Sequence, residues 1–147
     1  MSNDSKAGII KLSDGTVLKL RVFIIDVREA GFSPFAGIEF AVKTTGGISA
    51  HSVPEELKKA VINKPLAPSE LPKDGWEIID IIEQEPAVVE EEVNTSKGRY
   101  KIKVVAEAVM ASRNMKYRNR FNEPIYWVSW VLKISWKPIE ITKENQR

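Results

Sequence analysis

The chain of 147 residues has no cysteine and a single histidine, His51. Without cysteine there are no disulfides, no thiolate metal site and no cysteine nucleophile, which suits a reducing compartment. One histidine and no thiol leave zinc without its usual ligands. A Ser–His–acid arrangement would have to join His51 to Asp26 or Glu39, and no spacing singles out a nucleophile. No apolar run reaches the length of a bilayer span. The polar opening MSNDSKAG is not that of a signal peptide. Together these absences point to a cytoplasmic protein with no membrane partner, no metal, no cofactor and no catalytic residues. Glutamine is scarce while Lys, Glu, Ile and Val are plentiful, a leaning found in proteins from hot environments.

What is present fits one globular domain over residues 1–147, with 43% apolar and 29% charged residues. The net charge of +2 permits an acidic partner without demanding one. Residues 1–7 and about 139–147 read as loosely held tails.

The dominant period is two, the signature of strands. AGIEFAVK sets Ala36, Ile38, Phe40 and Val42 on one face. RYKIKVVAEAVM sets Tyr100, Ile102, Val104, Ala106, Ala108 and Met110 inward, and YWVSWVLKISWK does the same for Tyr126, Val128, Trp130, Leu132, Ile134 and Trp136. TVLKLRVFIIDVRE changes parity partway, so it carries a bulge or is buried on both faces. Ahead of it, Asp14-Gly15 marks a hairpin turn. GWEIIDIIEQ reads as a strand bracketed by Gly75 and Pro86. One segment reads as a helix, over about 53–63, opened by the capping-box pattern Ser52-Val53-Pro54-Glu55. The fold class is therefore α+β and β-dominated: a mainly antiparallel sheet, or a barrel-like one, with one short amphipathic helix.

Two charged runs cancel each other. With a turn over Thr95–Gly98, Val93 faces Tyr100, Glu92 faces Lys101, Glu90 faces Lys103 and Val89 faces Val104. A slip of one residue would spoil both the apolar and the charged matches. An acidic metal site from Glu90, Glu91 and Glu92 is disfavoured, because neighbours on a strand point to opposite faces. Gly46-Gly47 precedes the helix but lacks the Walker lysine and the dinucleotide spacing, so it reads as a flexible turn.

SRNMKYRNRFNEP does not cancel in this way. Arg113, Lys116, Arg118 and Arg120 have no acid among them, none lying between Ala108 and Asn122 and the first being Glu123, and Tyr117, Phe121 and Trp127 lie alongside. As a loop it is long for a hairpin. As a strand extension it would be a cationic stripe with an aromatic edge, the ingredients of single-strand nucleic-acid binding. It matches no named nucleic-acid motif. A solvated hairpin tip that discourages edge-to-edge pairing has the same composition, and so has a site for an acidic protein. Trp127 lies opposite in parity to Trp130 and is a stacking platform, an interface anchor, or covered by the helix or the proline-rich segment. Phe32 and Phe35, around Ser33-Pro34, cap the core at the barrel end, or form a ligand mouth or an oligomer contact. The leading expectation is a non-enzymatic module binding nucleic acid or another polyanion. The alternative is a structural or interaction protein acting as a homo-oligomer.

Overall fold

The structure, a computed structural model, describes residues 3–139. Its strands are β1 (Asn3–Lys6), β2 (Gly8–Leu12), β3 (Val17–Glu29), β4 (Phe40–Ser52), β5 (Trp76–Ile79), β6 (Ile81–Glu85), β7 (Ala87–Thr95), β8 (Gly98–Asn114) and β9 (Ile125–Pro138), with one helix, α1 (Glu55–Val61), after β4. They form two antiparallel sheets. In the first, β7 lies between β1 and β8, β5 pairs with the far end of β8, and β9 runs along the other edge of β8. The second has the order β4-β3-β2-β6.

Each inward face follows the alternation, except that β8 bulges between Ala108 and Met110 and turns Met110, expected inward, to the outer face. Ile10, Leu12, Leu18, Leu20 and Val22 of the second sheet meet Ala87, Val89, Val104, Ala106, Ala108, Ala111 and Val128 of the first. Alanines opposite leucines let the layers interdigitate. A second cluster joins Ile38 and Phe40 to Tyr100 and Ile102. There the Phe40 ring meets Tyr100 and Trp136 edge-on, with centroids 5.4 and 5.3 Å away.

On one side of the molecule the chain crosses between the sheets three times, through Ala7 from β1 to β2, through Asp80 from β5 to β6 and through Pro86 from β6 to β7. Gly8 makes the first crossing close, since a side chain there would stand 2.7 Å from the Ala87 nitrogen. On the other side the sheets end in β4 and β9, which do not pair with each other. The assembly is therefore an open two-layer structure, and the barrel-like alternative is not what forms.

The gap along β8 between β5 and β7 is filled by a side chain. The Ala108 N–H donates to Gln84 Oε1 at 2.9 Å, and Gln84 Nε2 donates to the Ala108 carbonyl at 2.8 Å. Opposite this point β8 bulges between Ala108 and Met110 in its pairing with β9.

Most expectations hold. The β7–β8 register is the matched one, residue for residue. The parity change in β3 is a bulge between Ile24 and Asp26. The β2–β3 turn closes through the Leu12 N–H, which donates to the Thr16 carbonyl, and the Gly15 N–H, which donates to the Leu12 carbonyl, with Gly15 at φ 91°. Several details differ. Gly46 and Gly47 lie inside β4, paired with Val22 and Arg21, not in a turn. A side chain on Gly46 would come within 2.8 Å of the Arg21 carbonyl and 3.2 Å of the Trp130 ring, so this glycine lets the two sheets approach. Ser52 remains in β4 opposite Val17, and α1 starts after Pro54 with no side-chain cap. GWEIIDIIEQ breaks at Asp80 into β5 and β6, which belong to different sheets. Asn3–Lys6, within the segment read as an N-terminal tail, pair with β7. Residues 140–147 of the C-terminal one lie outside the described residues.

Candidate binding surface

Arg113 is a strand residue. β8 continues to Asn114, and Arg113 stands in one row with Glu77 and Tyr126. Its guanidinium donates to Asp14 Oδ2 at 3.1 Å and to Glu77 Oε1 at 2.7 and 3.0 Å. Tyr126 donates to the same Asp14 oxygen at 2.8 Å, and its hydroxyl lies 2.7 Å from Thr16 Oγ1. The Arg113 and Asp14 side chains are only 15% and 8% exposed. Burial pushes the Asp14 carboxyl up, but hydrogen bonds from Thr16, Tyr126 and Arg113 outweigh it and hold it below its ordinary value. Burial also pushes the Tyr126 hydroxyl well up, reinforced by the neighbouring Asp14 carboxylate. This network ties the β2–β3 turn of one sheet to β5, β8 and β9 of the other. It holds Arg113 as an internal clamp.

The other cations of the run fare differently. Lys116 Nζ lies 3.2 Å from Asp74, an exposed pair supplied from far away in sequence. Residues 115–124 form a loop, so the cationic stripe of a strand extension does not arise. That loop is laid against the proline-rich segment: Arg118 N–H donates to the Pro65 carbonyl, and Ala67 N–H to that of Arg118. The Arg118 side chain donates to the Lys64 carbonyl and to Asn122 Oδ1. Asn119 Oδ1 then accepts from the amides of Phe121 and Glu123, a tight turn with Asn122 at φ 59°. The turn leaves Phe121 78% exposed. Arg120 is exposed and has no ion pair or hydrogen bond among the described residues. Tyr117 is half-buried.

Trp127 is uncovered. The cross-strand row Ile78–Ser112–Trp127 lies on the outer face of the first sheet, followed by Met110–Ser129 and then Glu107–Val131. Ile78, Met110, Trp127 and Val131 are all exposed there. On the inner face of β9, Leu132 and Ile134 pair with the fully buried Ala106 and Val104 yet remain exposed themselves. The cause is the open side: beyond β9 the second sheet offers only the edge of β4. Between these two edges runs an open groove of about 490 Å³, lined by Gly46, Gly47, Ile48, Trp127, Val128, Ser129 and Trp130.

Phe32 and Phe35 sit in the β3–β4 loop, and neither caps the core, being 79% and 72% exposed. The loop itself is tied down, because Trp136 donates to the Phe35 carbonyl, Tyr100 to that of Ala36 and Lys97 to that of Gly37. His51 is exposed on β4. Among the described residues no group of three or more His, Asp and Glu is placed to hold a metal, and no helix is long and apolar enough to cross a membrane.

Sequence reasoning missed Asp14, Glu77 and Tyr126 as partners of Arg113. The signal was weak, since they lie far away in sequence and each reads locally as a turn, an outward or an inward residue. It also missed the apolar outer face, for which the lack of charge from Ile125 to Leu132 was the available clue. No protein-family model, curated protein or solved structure matches the chain.

Proposed function

We propose that the protein is a non-enzymatic interaction module of the cytoplasm that associates with a second copy of itself through its open side. One observation carries this reading. β9 is a 14-residue edge strand with no further strand beside it among the described residues, and it exposes apolar side chains on both of its faces. Proteins that leave long edges free shorten them, twist them or load them with charge. β9 has no charged residue from Ile125 to Leu132. An exposed apolar patch of this kind marks an interaction site. Sedimentation or light scattering across a concentration series tests the reading. The expected result is a dimer whose mass persists at high salt. A monomer at every concentration overturns it.

Polyanion binding stands as the second reading, on a reduced set of residues. Among the described residues Arg120 has no ion pair or hydrogen bond; it stands beside the exposed Phe121, with Arg118, Tyr117 and Trp127 in the same part of the chain. Arg113 and Lys116 are already engaged by carboxylates. Two remaining cations would give single-strand binding with a salt slope of only about −1.4. Fluorescence anisotropy with labelled oligonucleotides over a salt series, beside the Arg118→Glu/Arg120→Glu variant, decides it. No binding at low salt removes this reading.

A further inference from the structure

We infer that the partner copy adds to the first sheet by antiparallel pairing of β9 with its own counterpart, about a two-fold axis that passes Val131. This deepens the self-association reading and rests on it.

Symmetry restricts the pairing. A two-fold axis perpendicular to a sheet keeps outer faces outer. Residues standing opposite each other across the new pair must therefore share parity, so one residue of β9 stands opposite its own copy. The sequence of β9 restricts which one. Centring on Lys133 would set two like charges face to face. Centring on Val131 brings Trp130 against Leu132, Val128 against Ile134 and Tyr126 against Trp136 on the inner face. On the outer face Val131 meets itself, Ser129 meets Lys133 and Trp127 meets Ser135. Every apolar inner residue finds an apolar partner, no lysine meets a lysine, and the pair uses the strand from Ile125 to Lys137. A centre nearer either end would leave part of the edge unpaired.

The size also fits. A paired span from Ile125 to Lys137 is about 43 Å long, and sheets packed face to face lie about 10 Å apart. Two apposed open sides thus cover about 430 Å² in projection, and more as accessible area, approaching the ~800 Å² per partner of an ordinary interface. The same approach brings the partner's second sheet towards the groove beside β4. It would cover Leu132 and Ile134, which face inward and lack a neighbour.

A heterologous contact of β9 with a partner's β4 is the competing geometry. It leaves one β9 and one β4 free at the ends and so grows into open chains.

The absence of native cysteine makes the test direct. Val131→Cys is expected to give a disulfide-linked dimer under mild oxidation, because directly opposed Cβ atoms approach to about 4.5 Å, the upper end of disulfide spacing. Leu132→Cys should cross-link far less, and Ser49→Cys on the outer face of the second sheet not at all. Val131→Lys, at an exposed position, should leave a cooperatively folded chain, lower the melting temperature only by the stabilisation that association supplies, and shift the mass to a monomer. Wild type that is monomeric throughout overturns self-association itself. A wild-type dimer that survives Val131→Lys and whose Val131→Cys form fails to cross-link overturns this interface alone. Mass that climbs beyond a dimer with concentration favours the open chain and overturns the two-fold arrangement.

Discussion

Replacing Arg113 by Met separates an internal clamp from a ligand-binding residue. The substitution keeps length and removes the charged fork. Asp14, with an 8% exposed side chain, would lose one charge-assisted hydrogen bond, worth about 1.5–3 kcal/mol. It keeps the Thr16 amide at 2.9 Å and the Tyr126 hydroxyl at 2.8 Å. The loss should therefore sit at the low end of that range and below the 3–5 kcal/mol of a fully orphaned buried charge. Glu77 is 51% exposed, so its arm adds at most about 0.5 kcal/mol. The sum is about 2 kcal/mol, or a fall of roughly 4–8 °C in melting temperature for a chain of this size. Urea and thermal unfolding followed by circular dichroism measure it. In an Asp14→Asn background the same substitution should cost only about 0.5 kcal/mol, since the main partner is gone. A cost under about 0.5 kcal/mol in the wild type would refute the clamp. If such a variant also lost oligonucleotide binding, Arg113 would be a ligand contact after all.

Other outcomes follow from the same structure. Gln84→Ala removes the two hydrogen bonds to Ala108 and should cost about 2 kcal/mol; hydrogen exchange should show the Ala108 amide losing protection. Gly46→Val should destabilise by about 1–3 kcal/mol through overlap with the Arg21 carbonyl and Trp130, while Gly47→Ala, with nothing within 4 Å of its added carbon, should change the urea midpoint little. The Asp14 and Glu29 carboxyls both titrate below their ordinary values, Glu29 through hydrogen bonds from Ser96. A depressed native value means the unfolded chain binds protons first, so their stabilisation is complete above the ordinary carboxylate range and is lost as pH falls through it. Melting temperatures should drop on acidification below about pH 4, and less steeply in Asp14→Asn. Phe32→Ser and Phe35→Ser should each stay within about 0.5 kcal/mol of wild type, because neither ring is buried.

Local patterns carried most of the fold. Alternation placed Ile102, Val104 and Ala106 inward without knowledge of the opposite sheet, because strand side chains alternate by geometry alone. The β7–β8 register was legible because only one pairing satisfies Val89, Val93 and the intervening acids together. Asp14-Gly15 announced its turn by conformational preference. The candidate site was far less legible. Arg113 looked unpartnered because sequence proximity is a poor guide to the acids that reach it. Asp14 lies 99 residues away, and Glu77 lies 36 away. Gly46-Gly47 looked like a turn because glycine's freedom was visible and the Trp130 ring packed on it was not.

The sequence by itself determined that this is a strand-dominated chain, which residues share a face, and how its charged hairpin pairs. Those properties depend on neighbours within one strand or one turn. Only the tertiary structure decided that the strands divide into two sheets, that Arg113 is consumed inside, and that β9 is an edge. Edge and interior strands carry the same alternation, so nothing local distinguishes Leu132, left exposed, from Ala106, sealed beside it. The difference is whether another layer lies beyond, and that depends on where β4 ends up after the chain has crossed between the sheets.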